Sequence, residues 1–208
     1  MSDAPSPRRV RSVNVARAAP LFFAGGRSVA SGIRKRPVEG AVALRALNLD
    51  GDEQADLSVH GGLSKAVYAY PFEHYPFWQT VRAQAGAAGW DTPLAHGALG
   101  ENLTLEGVLE ADVYVGDVLR FAGCALAVSV PRFPCYKLDA ALGFAHAVRL
   151  MQQSGWCGFY LAVREPGTLR AGEPFAIEPG PREVGIAELF RARIGLWRKH
   201  KYLASHRC

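Results

Sequence analysis

The chain has 208 residues, 49% of them hydrophobic and 21% charged, with a formal net charge of +5. That balance describes one globular domain with a proper core and excludes both a disordered chain and a disulfide-stapled mini-protein. The 22 glycines and 13 prolines favour a turn-rich β architecture over a helical bundle.

The basicity lies at the ends. Residues 1–36 carry eight Lys/Arg against one acid and residues 182–208 carry seven against two, so the middle is acidic on balance. No interleaved basic–aromatic stripe runs through the body, which argues against a nucleic-acid partner. Cys124, Cys135, Cys157 and Cys208 show neither C-x-x-C spacing nor a framework pattern. The apolar segment from Ala18 to Gly25 is too short for a secretory signal and contains Pro20, and no run reaches membrane-spanning length. The expectation is a cytoplasmic protein with free thiols and no membrane contact.

In chain order, residues 1–9 are Pro- and Ser-rich and read as a disordered start. Val10 to Ala16 alternates like a half-buried strand, Gly25-Gly26 marks a turn, and Ser28 to Arg36 reads as a strand with outward-facing charges. With a third strand from Ala41 to Leu49, the opening reads as a meander. The acidic loop that follows lacks calcium-loop spacing. It ends in His60-Gly61-Gly62, where paired glycines allow an anion-binding concavity or a simple hairpin turn before a strand at Ala66 to Tyr70. Pro71-Phe72 opens a helix reaching Ala87, with its regular part starting near Pro76. Gly100 to Leu105 and Val113 to Phe121 alternate as strands, the second around a Gly116-Asp117 hairpin turn. A helix from Asp139 to Gln153 stopped by Gly155, a strand from Cys157 to Val163, a last strand at Phe175 to Ile177 and a basic helix from Val184 complete the pattern. The division expected is a main domain over 10–181 and a short basic helical tail over 182–208.

One stretch invites chemistry. The run Ala125 to Val130 delivers the chain to Pro131-Arg132-Phe133-Pro134-Cys135-Tyr136-Lys137. Two prolines stiffen this loop. Arg132 and Lys137 flank the Cys135 thiol, and nearby positive charge favours a thiolate. The same residues also permit a plain core cysteine.

Several separated segments together resemble the MOSC domain (molybdenum-cofactor sulfurase C-terminal) family, in its bacterial stand-alone type. They are Gly51-Asp52-Glu53-Gln54, Val59-His60-Gly61-Gly62, Tyr70-Pro71 with Glu73-His74-Tyr75 and Trp78, Gly100-Glu101-Asn102-Leu103, Tyr114 with Gly116-Asp117, and Pro131-Arg132 with Pro134-Cys135-Tyr136-Lys137-Leu138. The resemblance implies a mainly β fold with peripheral helices, an α+β chain built on a MOSC-type β-barrel. It also implies a molybdenum–molybdopterin cofactor in a cleft, with Cys135 as the metal ligand. Reductase members of the family convert N-hydroxylated small molecules, such as hydroxylaminopurines and amidoximes, to amines or amidines with electrons from an external donor; other members take part in sulfur transfer. The tail after Pro181 is shorter than in the bacterial relatives.

On that reading a phosphate-bearing pterin needs cations and backbone donors, for which Arg132, Lys65, Lys137, Asn102 and the Gly61-Gly62 turn are candidates. A general acid would assist N–O reduction, with His60 first and Glu101 second. Two alternatives stay open. One is a cofactor carrier or sulfur relay with a persulfide on Cys135. The other is a thiol hydrolase joining Cys135, His60 and Asp52 or Asp56, against which stands the absence of a proper nucleophile-elbow motif.

Overall fold

The computed structural model describes residues 7–55 and 61–205, with side chains as far as 195. Among these residues twelve strands and four α-helices follow in chain order. The strands are β1 (Arg9–Val15), β2 (Ala19–Phe22), β3 (Ser28–Ser31), β4 (Arg36–Pro37), β5 (Val42–Leu44) and β6 (Val67–Pro71), then β7 (Leu103–Glu106), β8 (Val118–Arg120), β9 (Ala125–Pro131), β10 (Phe159–Glu165), β11 (Gly167–Leu169) and β12 (Ala176–Glu178). Helix α1 (Tyr75–Gln84) lies between β6 and β7, α2 (Lys137–Leu142) and α3 (Ala147–Ser154) between β9 and β10, and α4 (Ile186–Ser205) follows β12. Among the described residues no helix is long and apolar enough to cross a membrane.

One sheet of eight strands organises the chain, in the order β12-β8-β9-β10-β6-β7-β1-β4. Its centre is β6, Val-Tyr-Ala-Tyr-Pro, buried at all five positions, antiparallel to β10 and parallel to β7. A strand covered on both faces has no need to alternate. The parallel pairing requires a crossover, which α1 supplies. Pro76 sits in its first turn, where a missing N–H is harmless.

The strand order is open, with β12 and β4 at its edges. The stretch before β12 nevertheless lies against β1: the Val10 amide donates to the Glu173 carbonyl at 2.9 Å, and the Gly172 amide to the Val10 carbonyl at 2.7 Å. The sheet therefore curls back on itself without completing a continuous ladder. The closed barrel expected from the resemblance is corrected to a mostly β, α+β fold with a curled, open sheet.

Two apolar clusters stabilise it. One, rich in Val and Leu from Val10 through Leu126 to Ile186, lies against the sheet. The other is aromatic, with Tyr70, Trp78 and Phe190 fully or almost fully buried under the helices. Burial of side chains this large contributes about 1.5–3 kcal/mol each.

Other local expectations also change. The opening is no meander: β2 and β3 form their own hairpin, β4 pairs with β1, and β5 pairs with β11. No hairpin surrounds Gly116-Asp117; Tyr114 instead bridges to Gly185, and β8 pairs with β9. The helix expected over 139–153 is split, because Gly143 closes α2 at φ +79° and His146 enters α3 at φ +78°.

Candidate functional site

Where β9 ends, Arg132 and the following loop turn the chain from the sheet into α2. Here a cavity of about 100 Å³ opens between two walls. The first wall carries Arg132, Cys135 and Lys137, together with Tyr68 of β6 and Tyr160 of β10. The second is formed by the β3–β4 connection, Ser31, Gly32, Ile33 and Lys35, and by the segment from Asp52 to Ala55. Gly61, Lys65, Gly100 and Asn102 complete the lining.

Arg132 is only 6% exposed. Its amide donates to the Gly158 carbonyl at 3.3 Å, so the backbone fixes where the side chain starts. Its guanidinium lies over the Tyr68 ring at 5.4 Å from the centroid, donates to the Met151 thioether at 3.1 Å, and shares a side-chain hydrogen bond with Tyr160. Burial pushes the Tyr68 and Tyr160 phenols up, so both rings stay neutral beside it. Among the described residues no carboxylate forms an ion pair with Arg132. A buried guanidinium with its charge left uncompensated is a site prepared for an anion.

The opposite wall holds an ion pair. Lys35 Nζ donates to Asp52 Oδ1, and the two side chains are 7% and 1% exposed. Burial pulls the Lys35 ammonium below its ordinary range, against the neighbouring Asp52, which holds it up. Asp52 Oδ1 also accepts the Ala16 amide at 2.9 Å, and Oδ2 accepts Asn102 Nδ2 at 2.9 Å. This pair exists because the chain from 31 to 35 is pressed inward. A Cβ at Gly32 would stand 2.3 Å from the Glu53 carbonyl oxygen, and one at Gly97 would stand 2.7 Å from that of Lys35. The charges of Ser28 to Arg36 therefore do not all face outward. Lys35 is a cavity-lining residue missed in the sequence, and the signal that could have found it is Gly32, which breaks the alternation.

The candidates read from the sequence divide clearly. Arg132, Cys135, Lys137, Lys65, Gly61 and Asn102 all border the one cavity. Asn102 does so as a brace: its Oδ1 accepts the Tyr68 amide at 3.1 Å while Nδ2 donates to Asp52 and to the Asn14 carbonyl. Gly62, at φ +81°, lies behind, opening the turn Leu63–Lys65. Glu101 lies outside the lining. Its carboxylate accepts the Gly97 and Leu99 amides at 2.7 and 3.0 Å, the Thr104 hydroxyl at 3.1 Å and the Tyr75 hydroxyl. Burial pushes its carboxyl up, and four donors hold it in the 97–100 turn. His60 and Asp56 lie outside the described residues.

Of the two acids considered for the hydrolase arrangement, Asp52 already has both oxygens bonded. Among the described residues, Cys124, Cys135 and Cys157 are free thiols. Burial pushes the Cys124 thiol up to about 12 and raises Cys157 as well. Only Cys135 of the three is partly accessible. The Glu73-His74-Tyr75 segment proves structural: His74 Nε2 lies 2.8 Å from Glu110 Oε2, Glu73 accepts the Gly107 amide at 2.6 Å, and Tyr75 bonds Glu101.

Comparison with known proteins matches the chain to a family. The model of the MOSC domain fits residues 56–176. The uncharacterized protein YflK of Bacillus subtilis is 40% identical over 185 residues, 89% of this chain and 79% of YflK. A protein of Gibberella moniliformis named "Reductase" is 30% identical over 173 residues, 81% of this chain and 30% of its own length. The crystal structure of YiiM from Geobacillus stearothermophilus superposes with a TM-score of 0.71 at 30% identity, covering 97% of this chain and 92% of that one.

Proposed function

Because the chain belongs to the MOSC domain family, we propose that it binds a molybdenum–molybdopterin cofactor and reduces N-hydroxylated small molecules to amines or amidines. The observation that carries this reading is the convergence, in one cavity, of the accessible thiol of Cys135 with the uncompensated guanidinium of Arg132. The relative named "Reductase" supports the redox half of the proposal.

The donor set suits such a group. Among the described residues no three His, Cys, Asp or Glu side chains cluster to hold a bare metal ion. A pterin dithiolene would bring most of the metal's ligands and leave a single soft thiolate to the protein. Cys135 supplies that thiolate. Arg132, with Lys137 and Lys65 beside it, takes the phosphate, and Gly61 lets the backbone approach closely. When bound, the cofactor supplies the two electrons. Reduction of an N–OH bond consumes two electrons and two protons and releases water, so an external electron donor belongs to the proposal. Tyr68 and Tyr160 wall the site with neutral rings that orient a flat ligand.

The test is expression in a cofactor-proficient host, metal analysis, and turnover of 6-hydroxylaminopurine or benzamidoxime with an artificial reductant. We expect stoichiometric molybdenum and turnover, both lost in Cys135→Ser. Loaded protein that never turns over and carries a stable persulfide on Cys135 would replace this reading with the sulfur relay.

A further inference from the structure

Lys35 is used by none of the roles above. It is a buried charged side chain lining the cavity, bonded on one side to Asp52 and carrying two further N–H donors. Among the described residues neither is taken: Asp52 accepts one hydrogen bond, and Glu101 acts only through its charge. The pair is locked from behind, since Asp52 is held by the Ala16 amide and by Asn102. An ammonium on the lining of a cavity, held by a carboxylate that is itself fixed, is a preorganised hydrogen-bonding site.

Its charge state separates it from the other cations of the cavity. Arg132 has no carboxylate and calls for an anion. Lys35 is already neutralised by Asp52, so adding a full negative charge next to the pair brings repulsion from the carboxylate as well as attraction to the ammonium. A neutral oxygen with lone pairs is the better occupant: it accepts the spare N–H groups without disturbing the pair.

We infer that Lys35, anchored by Asp52, is the residue that recognises the oxygen of the N-hydroxyl group and so distinguishes the substrate from its amine product. This rests on the reductase reading and adds to it a specificity-determining residue. A site built to hydrogen-bond an oxygen discriminates strongly against the analogue that lacks it, because the donors are then left unpaired. The lowered affinity of Lys35 for its proton, caused by burial, strengthens it as a donor.

The experiment compares equilibrium binding of 6-hydroxylaminopurine and adenine, which differ by one oxygen and are both neutral, to cofactor-loaded protein without reductant. Wild type should prefer the hydroxylated purine by about tenfold to a hundredfold, the value of a charge-assisted hydrogen bond. Lys35→Met should bind both purines alike, with adenine affinity unchanged. The double variant Lys35→Met/Asp52→Asn removes the orphaned carboxylate and provides a folded comparison if the single variant melts early; it too should show no preference. A preference retained in either variant, or absent from wild type, overturns the assignment. If loaded wild type turns over 6-hydroxylaminopurine while the preference is unmoved by these substitutions, the assignment alone fails. Loss of turnover in loaded wild type removes the reductase reading and this inference with it.

Discussion

The two walls of the cavity treat buried charge in opposite ways. On the β9–α2 wall, Arg132 is surrounded by tyrosine rings and a thioether, and no carboxylate of the described residues pairs with it. On the facing wall, Lys35 is as deeply buried but is matched by Asp52, itself secured by a backbone amide and by Asn102. A compensated pair is part of the folded structure. An uncompensated cation is tolerated in a folded protein chiefly where a ligand completes it.

The most damaging way to break that contrast is to turn the second wall into the first. Asp52→Ala leaves Lys35 with no counter-charge and unties Asn102 and the Ala16 amide. We expect a loss of about 3–5 kcal/mol, the cost of orphaning one member of a buried pair, read from denaturant midpoints at constant slope. The pH dependence has a definite sign. Burial holds Lys35 below its ordinary value of 10.5 in the folded protein, so the unfolded chain binds that proton more readily and stability rises with pH through this window. Removing Asp52 lowers the folded value further and widens the window, so the deficit of the variant should shrink as the solution becomes more alkaline. A deficit below about 1 kcal/mol, the worth of a surface pair, would show that water already reaches this wall.

The reverse substitution acts on the first wall. Arg132→Met removes a cation with no carboxylate partner among the described residues, at the cost of one hydrogen bond with Tyr160, in a site already lined by Met151 and two tyrosines. Thermal stability of the cofactor-free protein should hold or rise, while retention of a phosphate-bearing pterin weakens by about tenfold to a hundredfold, as for a lost charge-assisted hydrogen bond. Loss of stability in the cofactor-free protein with unchanged cofactor content would reverse the roles given to the two walls.

The part of the first wall that comes from one stretch was legible in the sequence, whereas Tyr68 and Tyr160, brought in by β6 and β10, were not. Pro131 to Lys137 places a thiol, two cations and two prolines in seven positions, and their proximity needs no tertiary information. The second wall was not legible, since Lys35 and Asp52 meet only through the close packing of Gly32 on residue 53 and of Gly97 on residue 35. The strands at β1, β6, β9 and β10 follow from alternation and apolar runs. Their order does not, because the parallel β6–β7 pairing and the separate β2–β3 hairpin depend on crossovers that local pattern leaves open. Glu101 illustrates a third limit. A carboxylate beside an asparagine suggests a site, yet the direction it faces is set by the amides of a turn three-dimensionally folded around it.

Glu101 and Asp52 therefore form a second contrast, two buried carboxylates close to Asn102 with different duties. Glu101→Gln replaces one acceptor oxygen with a donor facing other donors and should cost about 1–3 kcal/mol. Burial raises the Glu101 carboxyl above its ordinary value of 4.5. The folded state then holds the proton more tightly than the unfolded chain, and this group's contribution is largest at low pH and declines as pH rises through the folded value. Glutamine should flatten that decline in a melting-temperature profile while leaving cofactor content unchanged. A loss of turnover in Glu101→Gln at full stability would return Glu101 to the chemistry.

The smallest effect is expected at Lys137, the first residue of α2 and a half-buried member of the first wall. A cation there opposes the helix dipole, so Lys137→Ala should leave stability unchanged or raise it by a few tenths of a kcal/mol. Its pull on a bound anion is partly exposed to solvent and should be worth less than about 1 kcal/mol, or about fivefold in affinity. Salt separates it from Arg132. At about 1 M ionic strength the screening length falls to about 3 Å, so wild type and Lys137→Ala should converge in cofactor affinity. The deficit of Arg132→Met should persist, because the tyrosines that cover the guanidinium also keep ions out. Convergence of both variants with wild type would mean that the first wall is no more sheltered than the protein surface.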